Sequence, residues 1–371
     1  MTFRRRNIIA IGLTAGLLAF LSLLGRTPLS FAPASFGADS GGTWDALHLF
    51  GAGDQHLYRD APWFFYPPPF LVLLSPIGAL GRDSAIGLAE ALSMACVAVL
   101  VVLWARRDDG TIPWVAVLFG GMFAAVELVV IGQFGTALGL VALSAALLLA
   151  REDRWFVAGI ALGLGSLRLG NALPIAVALL VFAGRMRGRT ALFRCLAGGA
   201  LALTPAGIAI TLRYPSWPSE YLASVQDYTG GVVSRGGVAR LVAQSLGTAG
   251  TVLVIVMGVL VCTWIIWRSL DLDSCAAVLA VTVLFAPMGA DYAAIFSLPA
   301  LARLATRSRL GACAIAVIIV LPWIVWRSAS AINASASTAT PLAELTIALV
   351  AATLVLRRGR MLPPSPIPPV G

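Results

Sequence analysis

The sequence predicts an all-α polytopic membrane protein, a bundle of about twelve transmembrane helices with an extracytoplasmic first loop. Hydrophobic residues make up 59% of the 371 positions and charged residues only 12%, whereas a soluble domain carries about 25% charged residues. The mean hydropathy is +0.91, and apolar runs near the length of roughly 20 residues that a membrane helix needs recur along the chain. The composition therefore excludes a soluble enzyme and a disordered protein.

The apolar runs define the predicted spans in order. The clear spans are 7–25, 84–105, 112–131, 134–150, 190–212, 248–267, 310–327 and 340–356, and four shorter ones are 155–168, 173–184, 274–287 and 291–304. The segment 69–81 follows a run of prolines and is too short to cross, which predicts a re-entrant or interfacial helix. The first run follows a basic cluster, as in a signal peptide, but its length predicts an uncleaved span.

The basic residues indicate which way the spans run. All 26 are arginine, and the formal net charge is +9. They occur in short clusters between apolar runs, which favours a role in topology over nucleic-acid binding. If the spans alternate, 18 of the 26 fall on one side, at positions 4–6, 106, 107, 151, 154, 185, 187, 189, 194, 268, 303, 307, 309, 357, 358 and 360. The positive-inside rule predicts that this side and both termini are cytoplasmic, in a bacterial plasma membrane.

The remaining segments complete the predicted organisation. The outer side receives the loop 26–67, turns near 131–134, 168–173 and 287–291, and the segments 213–245 and 327–341. Residues 1–360 are expected to form one membrane domain, and the proline-rich stretch 361–371 a disordered cytoplasmic tail. The five cysteines lie in or beside apolar runs without metal-type spacing, which is typical of small hydrophobic side chains in helices. Neither a metal motif nor a nucleotide-binding motif is present, so no cofactor is expected.

The loop 26–67 carries the residues most suited to chemistry. It contains both histidines of the chain, His48 and His56, and the carboxylates of Asp39, Asp45 and Asp54, interleaved with aromatic residues. Transfer of a sugar from a lipid phosphate would use such a set: a carboxylate base for the acceptor hydroxyl, and arginine or helix N-terminal amides for the phosphate. A solvated loop with interfacial aromatic residues is the alternative.

Four segments in order resemble a known family. Asp45 to Tyr58, Phe65-Tyr66-Pro67-Pro68 and Leu73-Leu74-Ser75-Pro76 are similar to the first-loop signature of the polyprenyl-phosphate-mannose-dependent mannosyltransferases of glycosyltransferase family 87. Later segments that agree are Gly132 to Gly135, Gly159 to Pro174, and Ala286 to Pro299. The resemblance covers roughly residues 40–305. It implies a GT-C-like bundle that moves a hexose, most often mannose, from a polyprenyl-phosphate donor to a lipid-linked or envelope glycan acceptor.

The resemblance also implies roles for individual residues. Asp45 would be the general base, with His48 three residues later on the same helical face. Asp45 as the cap of a short helix beginning at Ala46 is the alternative, and Asp39 and Asp54 are alternative bases. The residues expected at the donor phosphate are Arg168, Gln133, Asn171, Asp291 and Tyr292, and those expected at the substrate are Asp54, Tyr58 and Tyr66.

This sequence departs from the family pattern in three places. The distance from Asp45 to Tyr58 is short for the family, Asp291 replaces a late histidine, and Arg168 stands where lysine is common. These departures keep open an inactive GT-C relative that serves as a scaffold. A second alternative is a proton-coupled transporter or lipid flippase, because Glu90 and Glu127 lie inside predicted spans and intramembrane carboxylates are often functional.

Overall fold

The computed structural model is built from helices throughout the residues that it describes. These residues are 5–24, 38–54, 57–61, 64, 66–67, 69–107, 109–231, 238–285, 291–307 and short pieces between 313 and 352. The α-helices are α1 (Arg5–Leu24), α2 (Ala38–Ala52), α3 (Leu57–Asp60), α4 (Pro69–Gly78), α5 (Arg82–Trp104), α6 (Phe123–Val130), α7 (Phe134–Arg151), α8 (Trp155–Gly165), α9 (Leu169–Phe182), α10 (Arg189–Arg213), α11 (Trp217–Gly231), α12 (Val238–Arg268), α13 (Leu272–Phe285) and α14 (Leu298–Arg307). Three 3₁₀ segments, Trp114–Gly121, Ser166–Arg168 and Asp291–Ser297, and one π-helical turn, Ala183–Arg187, complete it.

Five helical segments of the described chain are long and apolar enough to cross a membrane. They are Arg82–Trp104, Phe134–Arg151, Trp155–Arg187, Arg189–Arg213 and Ala249–Arg268, and four shorter apolar helices accompany them. The chain is therefore an all-α membrane protein, and the predicted number of twelve spans stays a prediction. The predicted spans 310–327 and 340–356 lie largely outside the described residues, as the tail 361–371 does entirely.

The segment Trp155–Arg187 reverses direction instead of forming one rod. A straight helix of 33 residues would be about 50 Å long, well beyond the bilayer. Gly165 faces Leu143, and Gly139 faces Arg168, so α8 runs antiparallel to α7. Close glycine contacts also pair the early part of α8 with the early part of α10 and the later part with the later part, which makes these two helices parallel. Because α9 connects them, it runs the opposite way, in agreement with two separate spans.

The contacts group the helix ends at two opposite ends of the bundle. At one end the side chain of Asn7 donates to the carbonyl oxygen of Gly110 at 2.8 Å. At the same end Nε of Arg187, in the turn after α9, lies 3.3 Å from Oδ1 of Asp153, in the turn after α7. At the other end the amide of Ser40 donates to the carbonyl oxygen of Ile131 at 3.3 Å. We call the end that carries α2 the outer end. The alternating arginine pattern predicts the same grouping of ends, and the side of the membrane that each faces stays a prediction.

The predicted span 112–131 is not one α-helix. It consists of the 3₁₀ segment Trp114–Gly121 and α6, separated by the extended backbone of Met122 (φ −62°, ψ 127°). A Cβ on Gly120 would overlap the backbone carbonyl of Thr14, so α1 approaches this segment at backbone distance. Every residue of α6 is buried, which makes it an interior helix. The outer segment 213–245, expected as a connection, also contains α11 and the beginning of α12.

Helices α8 and α10 are held together by glycine. A Cβ on Gly159 would overlap the carbonyl oxygen of Cys195, and one on Gly198 would overlap that of Phe156. Small residues allow this approach, and in a membrane close packing supplies the attraction that the hydrophobic effect supplies in water. This contact fixes α8, and therefore the turn Ser166–Arg168 that follows it.

We expect Gly198→Val to destabilise the protein by about 1–3 kcal/mol, because a larger side chain would force α8 and α10 apart. Gly207→Val is the matched control, since a Cβ at Gly207 on the same helix would meet no atom within 4 Å. The midpoint of thermal unfolding of purified protein in detergent measures both. Equal midpoints for the two variants would contradict the assigned contact.

Candidate functional site

The outer helix α2 has one buried face and one exposed face. Thr43, Leu47 and Phe50 are spaced three to four residues apart and are buried, whereas Asp45 and His48 are exposed. The helix begins at Ala38, so Asp45 lies within it and the alternative that Asp45 caps a helix beginning at Ala46 is wrong. The expected i, i+3 relation of Asp45 and His48 on one helical face is present.

The connection between α4 and α5 holds α2 in place. The indole nitrogen of Trp44 donates to the carbonyl oxygen of Leu80 at 2.8 Å. A Cβ on Gly78 would lie 2.9 Å from the backbone of Leu47, so α4 touches α2 directly. On the exposed face, the ring of His48 stacks on that of Trp44 with 4.9 Å between centroids and 14° between planes.

Asp45 forms an ion pair with Arg82, the first residue of α5. The Nε atom of Arg82 lies 3.7 Å from Oδ1 of Asp45, and the exposed fractions of the two side chains are 57% and 51%. Exposed pairs of this kind contribute about 0–1 kcal/mol, so the pair is easily separated. Sequence reasoning missed Arg82, although a basic residue on the arginine-poor side of the predicted topology was a usable signal.

A second group of predicted residues lies behind α2 and is buried. The hydroxyl of Tyr66 donates to Oε1 of Gln133 at 2.6 Å, and the hydroxyl of Thr136 donates to the same oxygen at 3.0 Å. The hydroxyl of Tyr58 donates to the carbonyl oxygen of Tyr66 at 3.0 Å. These bonds join the segment that follows α2 to the beginning of α7. Tyr58, Tyr66 and Gln133 therefore lie together, and the expected roles of the tyrosines at the substrate and of Gln133 at the donor phosphate stay predictions.

Helix α11 covers this group from the outside. The ring of Tyr221 lies 5.3 Å from that of Tyr58 between centroids, and Tyr214 donates a hydrogen bond to Glu220. Burial raises the pKa of Tyr58 well above its ordinary value, and the neighbouring tyrosines raise it further. Burial raises the pKa of Tyr221 as well. These phenols are therefore neutral hydrogen-bonding groups at physiological pH and not proton acceptors.

Arg213, the last residue of α10, fastens the end of α2. Its Nη2 atom donates to the carbonyl oxygens of Phe50 at 2.5 Å and Gly51 at 3.0 Å, and its guanidinium lies 4.4 Å from the centroid of the Phe50 ring. The last carbonyls of a helix lack partners within it, and a cation near them is favourable. The exposed face of α2 is therefore held at both ends of the helix.

Arg168 lies at the reversal between α8 and α9. Its side chain is half-buried, with Cγ 3.0 Å from the position of a Cβ on Gly139. One turn earlier on α7, Gly135 faces the ring of Tyr66 in the same way, at 2.7 Å. Arg168 and Tyr66 therefore contact the same face of α7. Asn171 points elsewhere in the bundle, because its Nδ2 donates to the hydroxyl of Thr282 on α13 at 3.2 Å.

The other predicted residues have less defined positions. Asp54 is half-buried just beyond α2, where its amide donates to the carbonyl oxygen of Leu49 at 3.1 Å. Asp291 and Tyr292 begin the 3₁₀ segment Asp291–Ser297, and their side chains, like the backbone and side chain of His56, lie outside the described residues. Within the described part of the chain, no group of three or more His, Cys, Asp or Glu is placed to hold a metal ion.

The predicted residues thus fall into two groups at the outer end. Asp45 and His48 lie with Arg82 on the exposed face of α2, whereas Tyr66, Gln133 and Arg168 lie along α7. Ser40 links the groups, because its amide bonds to Ile131 just before the turn at Gly132, which has a φ of +76°. The outer end therefore holds an exposed carboxylate beside one arginine, and a second, half-buried arginine along α7.

Comparison with known proteins gives one family. No curated protein and no solved structure matches the chain. The model of glycosyltransferase family 87 matches residues 64–289, which is more than half of the chain. The matched range includes Tyr66, Arg82, Gln133 and Arg168, and Asp45 precedes it. The chain therefore belongs to glycosyltransferase family 87, and it is a membrane glycosyltransferase.

Proposed function

We propose that the protein transfers a hexose, mannose, from a polyprenyl-phosphate donor to a lipid-linked or envelope glycan acceptor. Asp45 is the general base, and the anomeric centre is inverted. The observation that supports this best is the exposed carboxylate of Asp45 on an outer helix, in a chain that belongs to glycosyltransferase family 87. The donor reaches the site laterally from the outer leaflet of a bacterial plasma membrane.

The reaction needs one proton acceptor and one anion-binding group. The acceptor hydroxyl gives its proton to Asp45 while its oxygen bonds to the anomeric carbon, and the bond from that carbon to the phosphate oxygen breaks. The electron pair stays on the phosphate, which leaves as polyprenyl phosphate with one more negative charge. Cationic and amide donors near this charge stabilise the transition state more than the ground state.

Arg168 is the proposed contact for the departing phosphate. A half-buried arginine at the outer end of an apolar bundle suits a monophosphate at the membrane surface, because its planar guanidinium can donate hydrogen bonds to two phosphate oxygens. Gln133 is the better placed of its two proposed partners. Its carbonyl oxygen accepts bonds from Tyr66 and Thr136, which fix the side chain at the start of α7, and a side-chain amide is a suitable donor to a phosphate oxygen. The amide of Asn171 already donates to Thr282.

The lipid-linked donor agrees with the surface of the helices around the site. Large apolar side chains on the outer part of α10 are exposed, among them Ile208 and Leu212 with exposed fractions of 55% and 80%. A helix with such a surface faces lipid, and a polyprenyl chain is chemically similar to lipid. With the positive-inside orientation, both termini are cytoplasmic and the site faces the outer side.

One observation favours a second candidate, a proton-coupled transporter or lipid flippase. Glu90 and Glu127 are buried in α5 and α6, with exposed fractions of 6% and 5%, and carboxylates inside a membrane bundle often carry protons. Membership of a glycosyltransferase family makes transfer the preferred function. An inactive scaffold would show neither activity.

We expect Asp45→Asn to lower transfer of labelled mannose from polyprenyl-phosphate mannose about 100-fold or more, as loss of a general base does. Isolated membranes that contain equal amounts of each variant suffice for the measurement. Asp60→Asn is the matched control, because Asp60 is also an exposed outer carboxylate paired with an arginine, Arg59, at 3.0 Å. Transfer by Asp45→Asn at the wild-type rate would exclude Asp45 as the base.

We expect Arg168→Gln to lower kcat/KM for the donor about 10- to 100-fold, the cost of a charge-assisted hydrogen bond, and Arg168→Lys to restore part of it. Arg154→Gln, an exposed arginine at the opposite end of the bundle, should match the wild type. Initial rates over a range of donor concentrations separate kcat from KM. If Arg154→Gln lowers kcat/KM as much as Arg168→Gln does, the loss is not specific to the outer end.

We expect measurements in reconstituted liposomes to contradict the transporter or flippase candidate. Under the proposed function, lipid scrambling and proton uptake are equal for the wild type and for Glu127→Gln. Glu152→Gln, at an exposed turn, is the control. If an activity of the wild type disappears in Glu127→Gln while mannose transfer is absent from both, the transporter or flippase is the correct function.

A further inference from the structure

Arg82 is placed to serve two partners in turn. It pairs with Asp45 through Nε at 3.7 Å, a contact that engages one nitrogen of a planar group with five N–H donors. We propose that Arg82 binds the donor phosphate in exchange for Asp45, so that arrival of the donor releases the base. This inference rests on the proposed function, adds Arg82 to Arg168 as a second arginine for the same phosphate, and adds the order in which the site becomes active.

The pair between Arg82 and Asp45 is suited to being exchanged. More than half of each side chain is exposed, and exposed ion pairs contribute little net stability. A phosphate offers two oxygens to the fork of an arginine, and such bidentate pairs are stronger than single contacts at a longer distance. A donor phosphate at this position therefore competes effectively with the carboxylate.

The surroundings of Arg82 keep its guanidinium beside α2. A Cβ on Gly41 would lie 2.9 Å from Nη2 of Arg82, so the absence of a side chain at Gly41 makes room for the group. The backbone before Arg82 is held by the bond from Trp44 to Leu80. Arg82 can therefore change partner by side-chain motion alone, without displacement of α2 or α5.

The exchange couples donor binding to activation of the acceptor. While Arg82 pairs with Asp45, Oδ1 of the carboxylate faces the guanidinium and is not directed at an acceptor hydroxyl. Once Arg82 has moved to the donor phosphate, Asp45 takes the proton of the acceptor hydroxyl, and the electron pair of the broken anomeric C–O bond goes to the phosphate that Arg82 holds. Binding of the donor thus increases the share of molecules in which Asp45 is separated from Arg82.

Binding of farnesyl phosphate, a short polyprenyl phosphate, to the purified protein in nanodiscs tests the exchange without turnover. We expect Arg82→Gln to weaken binding about 10-fold or more, the range for a hydrogen bond to a charged group, and Arg82→Lys to weaken it less. Asp45→Asn should tighten binding about 2- to 5-fold, because it removes an exposed competing pair. The double variant should bind as Arg82→Gln does, since the two residues act on one contact.

The pair of Arg59 and Asp60 provides the controls. It is an exposed ion pair of the same outer segment, with 3.0 Å between Nε and Oδ1, and Arg59→Gln and Asp60→Asn should each bind as the wild type does. Circular dichroism and the thermal midpoint of each variant identify any that fail to fold, and Arg82→Lys keeps the charge if Arg82→Gln is unstable.

The possible results separate the two proposals. If the wild type binds farnesyl phosphate and Arg82→Gln binds equally well, or if Asp45→Asn binds more weakly, the exchange is wrong and the proposed function stands. If the wild type neither binds farnesyl phosphate nor transfers mannose from polyprenyl-phosphate mannose, the proposed function itself is wrong. Opposite changes in the two single variants, with unchanged controls, support the exchange.

Discussion

The hydrogen bond from the hydroxyl of Tyr66 to Oε1 of Gln133, at 2.6 Å, joins the two parts of the molecule on which the outer end depends. On one side is the segment that follows α2, and on the other is the beginning of α7, the helix against which Arg168 lies. Both groups are buried, so the bond is protected from water and leaving either partner unsatisfied would be costly. Gln133 can occupy this place because Gly132, with a φ of +76°, turns the chain between α6 and α7. A residue with a side chain would be strained there.

Glycine contacts fix the relative positions of the helices in the apolar part of the bundle. Gly159 and Gly198 bring α8 and α10 to backbone distance, and Gly165 brings α8 against α7. Packing of this kind depends on small residues along both helices, and Gly163 continues the contact with Gly199 and Ala202 one turn further on. The reversal at Ser166–Arg168 is thereby fixed, and with it the position of an arginine in surroundings where a charge is expensive. The bundle thus positions Arg168, and the outer helix positions Asp45.

Much of the fold could be predicted because hydrophobic runs and arginine clusters follow from the bilayer itself. The predicted spans 84–105 and 134–150 differ by one or two residues from α5 and α7, and the grouping of helix ends agrees with the arginine pattern. The break at Met122 could not be predicted, because it results from the contact of Gly120 with α1, which sequence spacing does not record. Helix α2 was hidden by Gly41 and Gly42, which have low helix propensity and are tolerated because the helix packs on α4 and α5. The site was predicted in part. Asp45 and His48 share a face as expected, whereas the pairing of Asp45 with Arg82 and the bond of Asn171 to Thr282 are tertiary contacts that sequence spacing does not record.

The arrangement also supports the choice of Asp45 over Asp54 and Asp60 as the proposed base. Asp60 is paired at 3.0 Å with Arg59, its neighbour in sequence, on the far side of the buried tyrosines. Asp54 lies beyond the last turn of α2, where helix carbonyls point and a negative charge is disfavoured. Asp45 lies in the middle of an anchored helix, on its exposed face, and its partner Arg82 is held by a pair weak enough to separate. A base must be fixed in position and yet able to leave its partner and take a proton, and of Asp45, Asp54 and Asp60 it is Asp45 that meets both conditions best, which supports its choice as the proposed base.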